Sequence, residues 1–419
     1  MDQEELARRR QARQEARAQR KKQQRKTILK LAVVAALVIF CTVLIVSLAR
    51  PARTDAPEQT QLTDPTGTAV PTENNGQTTV IHLAAAGDLN ITQALVGSGG
   101  AEYDYTGTFM DVLPVLAQAD ITLMNLEGSF YGAPYGVDRS APQAVATALA
   151  GAGVDLLQIA NSYTIYKGME GLRSTVEAVR TAGIEPVGAY ASNEEAKAAK
   201  GFTLREVNGV RIAFVAFTKG MDGMALPPGN EKCVNVLYKD YASDYQQVDT
   251  EGITALLAEV AKAKPDITVA LLHWGSEYNN TISKTQEEIC KLLQENGVNA
   301  IIGTHSHYVQ RMTLDPETGN FVAYSLGDFC SNEVRAGSEY SVVLDLEITK
   351  DNKTGKAKIT NFSYTPIFTV LEPDRPLQIV RIDSAIAAYE GDYIDRVSQT
   401  TYDAMKYALE RIEARIHEE

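Results

Sequence analysis

From residue 79 onward, apolar runs of strand length alternate with amphipathic stretches of helical spacing, and this alternation limits the possible folds more than any other feature. "TVIHLAAAG", "DITLMNL", "VDLLQIA", "DITVALL" and "VNAIIG" are nearly continuous apolar segments, the pattern of strands covered on both faces. In "GMEGLRSTVEAVRTAG", Leu172, Val176 and Val179 keep the i, i+4, i+7 spacing of a helix that Gly183 closes. Further helices are expected near 249–263 and in "TQEEICKLLQENG". The alternation in "FTLREVNGVRIAFVAF" predicts a hairpin turning at Asn208-Gly209, a pair suited to type I′ geometry. Residues 308 to 368 read as antiparallel strands, and "YDAMKYALERIEARI" predicts a helical tail within 373–419. The fold class that follows is α/β, large sheets covered by helices, with no internal repeat.

Charge divides the chain. Residues 1–50 hold 12 Lys and Arg against 4 Asp and Glu, and the remainder holds 28 against 49. Lys30 and Arg50 bracket 19 uncharged residues, "LAVVAALVIFCTVLIVSLA". At roughly 1.5 Å per residue that run nearly matches a hydrocarbon core of about 30 Å. The basic stretch before it belongs on the cytoplasmic side by the positive-inside rule, where it would also meet anionic membrane lipid. A signal peptide cut after "SLA" is the competing reading. The long basic region, the length of the apolar run and the nearby Pro51 favour a retained anchor. The expected organisation is a cytoplasmic segment over 1–30, a transmembrane helix over 31–49, a flexible linker over 50–78 and an outer domain over 79–372. That domain is acidic and has no basic stripe, so nucleic acid is excluded as a partner.

Unusual polar residues fall just beyond the apolar runs. Asp88 follows "HLAAAG", Glu127 follows "ITLMNL", Asn161 follows "DLLQIA", His273 follows "DITVALL", and His305 and His307 follow "VNAIIG". In α/β sheets, loops at the carboxyl ends of strands are where side chains converge on ligands. Two carboxylates, an amide oxygen and three imidazoles form a mixed O/N donor set suited to Mn, Zn or Fe. Asn90 could add another oxygen. Taken singly, Asp88 and Asn161 read first as turn formers or caps; five strand ends delivering this list together favour a site. His82, inside a strand, and His417, in the tail, read as structural. Cys233, Cys290 and Cys330 are an odd set without metal spacing, and Cys290 reads as a buried thiol.

The motifs around these residues, "AAGDLNIT", "NLEGSF", "IANSYTIYKGMEGL", "LLHWGSEY", "IIGTHSHYVQ" and "YSLGDF", resemble in order and spacing the capsule-synthesis protein CapA (poly-γ-glutamate biosynthesis) family, over about residues 80–335. That resemblance implies a calcineurin-like metallophosphoesterase αββα sandwich. It also implies metal ligation by Asp88, Glu127, Asn161, His273, His305 and His307; Asn90, Tyr163, Glu277 and Asp328 are expected beside them as accessory residues. One or two divalent ions would be held. The sequence departs from the family at "ANSY", where members usually read "ANNH": Ser162 replaces the second Asn and Tyr163 the His. Tyr166 stands where the family has Asp, Ser306 replaces a common Pro, and Asp328 replaces the Asn of "SLGNF". In the phosphoesterase relatives that histidine helps protonate the leaving group, and losing a general acid costs on the order of 10² to 10⁴ in rate.

The function implied is a membrane-anchored, extracytoplasmic protein acting in synthesis or export of an anionic capsule polymer such as poly-γ-glutamate. Its partners would be that polymer and the membrane-bound synthesis and export subunits. A metal-dependent surface phosphoesterase and a catalytically degenerate binding subunit are the alternatives, and the sequence assigns no catalytic residue.

Overall fold

The computed structural model describes residues 76–394 and 396–418. The expected basic segment, the expected transmembrane helix and all but the last three residues of the expected linker lie outside the described residues. Among the described residues, no helix is long and apolar enough to cross a membrane.

The apolar runs form strands in the order the sequence predicts. They are β1 (Thr78–Asn90), β2 (Ile121–Glu127), β3 (Leu156–Gln158), β4 (Glu185–Val187), β5 (Thr203–Val207), β6 (Val210–Thr218), β7 (Ile267–His273) and β8 (Ala300–Thr304). Five more follow: β9 (Met312–Leu314), β10 (Phe321–Ala323), β11 (Tyr340–Asp351), β12 (Ala357–Val370) and β13 (Gln378–Arg381). They build two sheets, one ordered β13-β12-β11-β1-β2-β3-β4 and the other β5-β6-β7-β8-β10-β9. Strands β1 to β4 run parallel, as do β6, β7, β8 and β10. The β5–β6 hairpin turns at Asn208 (φ 49°) and Gly209 (φ 81°), both left-handed, as a type I′ turn requires.

Alternate residues of each central strand serve two different cores. Leu83, Ala85, Leu123 and Leu156 of one sheet meet Phe214, Val269, Leu271 and Ile302 of the other in a shared core. The intervening Ala84, Ala86, Met124 and Leu157 pack beneath helices α1 (Ala144–Gly151) and α2 (Gly168–Thr181), through Val145, Leu149, Leu172, Val176 and Val179. On the far side Val215, Ala270, Leu272 and Ile301 pack beneath α3 (Thr250–Lys262) and α4 (Lys284–Glu295). The result is a four-layer helix–sheet–sheet–helix sandwich. Strands buried on both faces explain why the sequence shows continuous apolar runs instead of polar alternation.

Residues 373–419, read from the sequence as a helical tail, do more than trail from the domain. They supply β13, which pairs with β12, and two helices, α5 (Ile382–Glu390) and α6 (Gln399–Ile416). Met405, Ala408, Ile412 and Ile416 of α6 are fully buried and complete the core between the sheets on the β11–β12 side. The boundary expected at 372 therefore falls inside one hydrophobic core. Cys233, Cys290 and Cys330 are free and buried, and burial pushes the Cys290 thiol up to about 12.

Candidate metal centre

Parallel strands carry their carboxyl ends to one edge, and that edge collects the polar residues. Glu127 is the last residue of β2 and His273 the last of β7, Asp88 lies near the end of β1, and the two other histidines follow β8 directly. All of these side chains are buried: Asp88 0%, Glu127 2%, His273 0%, His305 4% and His307 4% exposed. Asp88 can be placed there because its neighbour is glycine. A Cβ on Gly87 would sit 1.8 Å from the Gly327 carbonyl oxygen, so no other residue lets β1 approach this closely. The Asp88 N–H donates to that same oxygen at 3.0 Å.

Asp88 is held on both carboxylate oxygens: Asn125 Nδ2 donates to Oδ1 at 2.6 Å and the His305 backbone N–H donates to Oδ2 at 2.9 Å. It is shared by two groups of potential ligands whose donor atoms all lie within 4.8 Å of one another, Asp88 with Glu127 and His273, and Asp88 with His307 and Asp328. His307 Nδ1 is 2.8 Å from Asp328 Oδ1 and 3.9 Å from Asp88 Oδ2. Asp328, expected only as an accessory, is thus a full member of the second group. His305 stands outside both groups, but its ring lies 4.4 Å from that of His273.

The donor set fits a divalent cation. Glu127 Oε1 is buried without a hydrogen-bond donor, yet it lies 3.0 Å from His273 Nε2. His273 is pushed well below its ordinary pKa by burial, then by nearby His307 and Lys219, and so is neutral. In the tautomer with its proton on Nδ1, toward Thr304 Oγ1 at 3.2 Å, Nε2 has one lone pair, which Ser162 Oγ at 3.0 Å and Glu127 Oε1 at 3.0 Å both face. Either a proton on Glu127 or a cation held between the two atoms satisfies this contact, and only the cation leaves the carboxylate ionised. Burial raises Asp88 to about 6 and Glu127 well above the usual carboxylate range, and a bound cation would relieve that cost.

His305 (φ 90°) and His307 (φ 60°) both hold left-handed backbone, an uncommon conformation for residues other than glycine. Such backbone is costly and concentrates at functional sites. It takes the chain out of strand geometry immediately after β8. Asn161 lies in the same network, but its amide faces inward: Nδ2 donates to Asn125 Oδ1 at 3.2 Å and to the Leu126 carbonyl, and Oδ1 accepts from the Tyr163 N–H at 2.9 Å. The oxygen therefore keeps one lone pair for a ligand. Asn90 turns its Nδ2 to the Cys330 carbonyl at 2.9 Å. Glu277 is exposed at the rim and joins neither group.

Sequence reasoning singled out neither Asn125, which orients Asp88, nor Thr304, which lies against His273. Asn125 stands within the "NLEGSF" motif, one strand position across from Asp88, and that register was the available signal. Ser162, at the position of the family's second Asn, has its Oγ 3.0 Å from His273 Nε2. Arg139 had no signal at all, because it comes from the loop after β2. Its Nη2 donates to the Tyr163 hydroxyl at 3.3 Å, its Nη1 to Asn90 Oδ1 at 3.4 Å, and its Cζ lies 4.7 Å over the Tyr163 ring. Burial, then the Glu127 charge, raises the Tyr163 phenol above its ordinary value, so it is a weaker acid than a free tyrosine.

Residues 82–333 match the family described as the bacterial capsule synthesis protein PGA_cap. The chain belongs to that family, and the match contains every residue of the cluster. Capsule biosynthesis protein CapA of Bacillus anthracis is 26% identical over 313 residues, 70% of each chain. PGA biosynthesis protein CapA of Bacillus subtilis is 28% identical over 209 residues, 49% of this chain and 50% of that one. A probable polyglutamine synthesis accessory protein of Mycobacterium tuberculosis is 23% identical over 339 residues, 79% of this chain and 83% of its own. Among solved structures, the chain is similar to the calcineurin-like phosphoesterase YfkN from Bacillus subtilis, with a TM-score of 0.44 and 15% identity over 80% of this chain and 98% of that one.

Proposed function

We propose that this chain is a membrane-anchored, extracytoplasmic accessory protein in the synthesis or export of an anionic capsule polymer such as poly-γ-glutamate, and that it binds one or two divalent ions of Mn, Zn or Fe. The observation that carries the metal is the buried, donorless Glu127 oxygen facing His273 beside a carboxylate shared by two ligand groups. Asp88, Glu127, His273, His307 and Asp328 would hold the ions, with His305 and Asn161 adjoining. The capsule assignment draws on family membership, and the anchor on the uncharged run between Lys30 and Arg50.

Bound there, a divalent ion would supply Lewis-acid charge to an anionic substrate and lower the pKa of a water molecule. The chain's own residues do the positioning. Asn125 and the His305 N–H fix the Asp88 carboxylate, Thr304 and Ser162 orient His273, and Asp328 orients His307. Arg139 holds the Tyr163 hydroxyl where the family carries an imidazole. Elemental analysis of the purified full chain tests this reading. We expect about one or two equivalents of transition metal, lost in His273→Ala and His307→Ala, and a metal-free wild-type protein after growth with all three metals would overturn it.

A second reading, a metal-dependent surface phosphoesterase, is favoured by the shared Asp88, since two-ion centres act by clamping both oxygens of a displacement. Tyr163 weakens it: a phenol raised by burial does not donate a proton near neutral pH as an imidazolium does. Tyr163→His is expected to raise Mn-dependent hydrolysis of an aryl phosphodiester by about 10²-fold or more. Equal rates in the two proteins would remove that explanation of the missing imidazole.

A further inference from the structure

Three cations at the mouth of the cluster rest on tyrosine rings and not on carboxylates. Arg139 Cζ lies 4.7 Å from the Tyr163 ring centre, Lys219 Nζ 4.6 Å from that of Tyr245, and Arg335 Cζ 4.7 Å from that of Tyr278. None of the three has a carboxylate oxygen within 4.0 Å among the described residues. Each is tied to the cluster by one neighbour. Arg139 donates to Asn90, Lys219 donates from Nζ to the Gly275 carbonyl and from its N–H to the His273 carbonyl, both at 2.8 Å, and Tyr278 stacks on His307 at 4.9 Å. Elsewhere in the domain Lys350 pairs with Asp266 at 2.7 Å and Lys262 with Glu259, while Lys406 and Arg415 also rest on tyrosine rings but away from the cluster.

A tyrosine face attracts a cation without neutralising it, so the full charge and the remaining N–H donors stay available to an anion. This matters because residues 51–419 carry 28 Lys and Arg against 49 Asp and Glu. A field of that sign repels a polyanion unless unneutralised cations are gathered locally. A cleft of about 340 Å³ walled by Arg139, Tyr163, Tyr166 and Asn332 opens beside Arg139. Asp138 and Asp222 also line it, and they penalise a dianionic phosphate about twice as heavily as a singly charged carboxylate.

We propose that Arg139, Lys219 and Arg335 form a carboxylate-binding rim on which successive carboxylates of a γ-glutamyl chain dock at the mouth of the cluster. This inference rests on the capsule-polymer reading and names the groups that would recognise the polymer. The fork of Arg139 would take one carboxylate bidentately, and Lys219 and Arg335 would take others along the chain.

Calorimetric titration of the detergent-purified full chain with a γ-linked glutamate decamer tests the rim. The expected result is binding that weakens with salt, falls about tenfold in each of Arg139→Ala, Lys219→Ala and Arg335→Ala, and is unchanged in the remote Lys262→Ala. Arg139→Lys is expected to recover only part of the loss, because lysine keeps the charge and not the fork. Metal content and thermal midpoint measured on the same samples separate lost recognition from lost folding. Wild-type binding that survives all three alanine variants overturns the rim and leaves the capsule reading standing. A wild-type chain that ignores the decamer overturns both. Equal binding of a decamer with amidated α-carboxylates, or its displacement by equimolar inorganic phosphate, overturns the carboxylate assignment.

Discussion

Asp88 decides most of what this chain can do chemically, and it acts through neighbours that hold it in place. Asn125 and the His305 N–H fix its two oxygens, so Asn125→Ala should leave the ligands present and weaken cation affinity about 10- to 100-fold, as loss of an outer hydrogen-bonding partner does. Burial holds the Asp88 carboxyl up at about 6, above its ordinary 3.8. A carboxyl raised in the folded state binds its proton more tightly there, so in the metal-free protein its contribution becomes destabilising as pH rises from about 4 through 6. The same proton competes with a cation. Titration of Mn into the chelator-treated chain should therefore give affinity that falls as pH drops across 7.5 to 5 and falls more steeply below about 6, by up to tenfold per unit for each proton displaced. Affinity unchanged between pH 5 and 7.5 would mean that Asp88 is not a ligand. His307 behaves oppositely: burial lowers it, but Asp328 and then Asp88 outweigh that and lift it to about 10. The metal-free protein thus carries a charged His307 at neutral pH, and a cation must displace that proton too.

At the scale of elements, the strand ends were legible and the loops were not. Apolar runs announced β1, β2, β7 and β8, and the residue closing each run pointed to the site, because parallel strands bring their carboxyl ends to one edge. Nothing in "THSHYV" announced that His305 and His307 would both take left-handed backbone, where the His305 N–H meets Asp88 and the His307 ring meets Asp328. The helix α6 carries a similar lesson. Its amphipathic pattern was readable, but its partner was not, and the partner is the core between the sheets. Met405→Ala should therefore cost about 2–5 kcal/mol of unfolding free energy, as other large-to-small core replacements do. Denaturant unfolding measures it, and a loss below about 0.5 kcal/mol would mean that α6 is not part of the cooperative core.

For the whole molecule, the division of charge remains the strongest statement about place. A basic segment, an uncharged run and an acidic domain follow one another in that order. If the run spans a membrane, protease added to intact cells should remove the domain beyond residue 79 and spare an N-terminal tag. Protection of both would overturn the topology proposed. The amino-acid sequence by itself determined the alternation of strands and helices, the register of the polar residues at strand ends and the family to which the chain belongs, because each is written in local spacing. Only the tertiary structure decided that Asp88 is shared between two ligand groups, that Glu127 faces His273 without a donor, and that Arg139 replaces a carboxylate partner with the face of Tyr163. Those contacts join residues tens to hundreds of positions apart, and local periodicity carries no record of them.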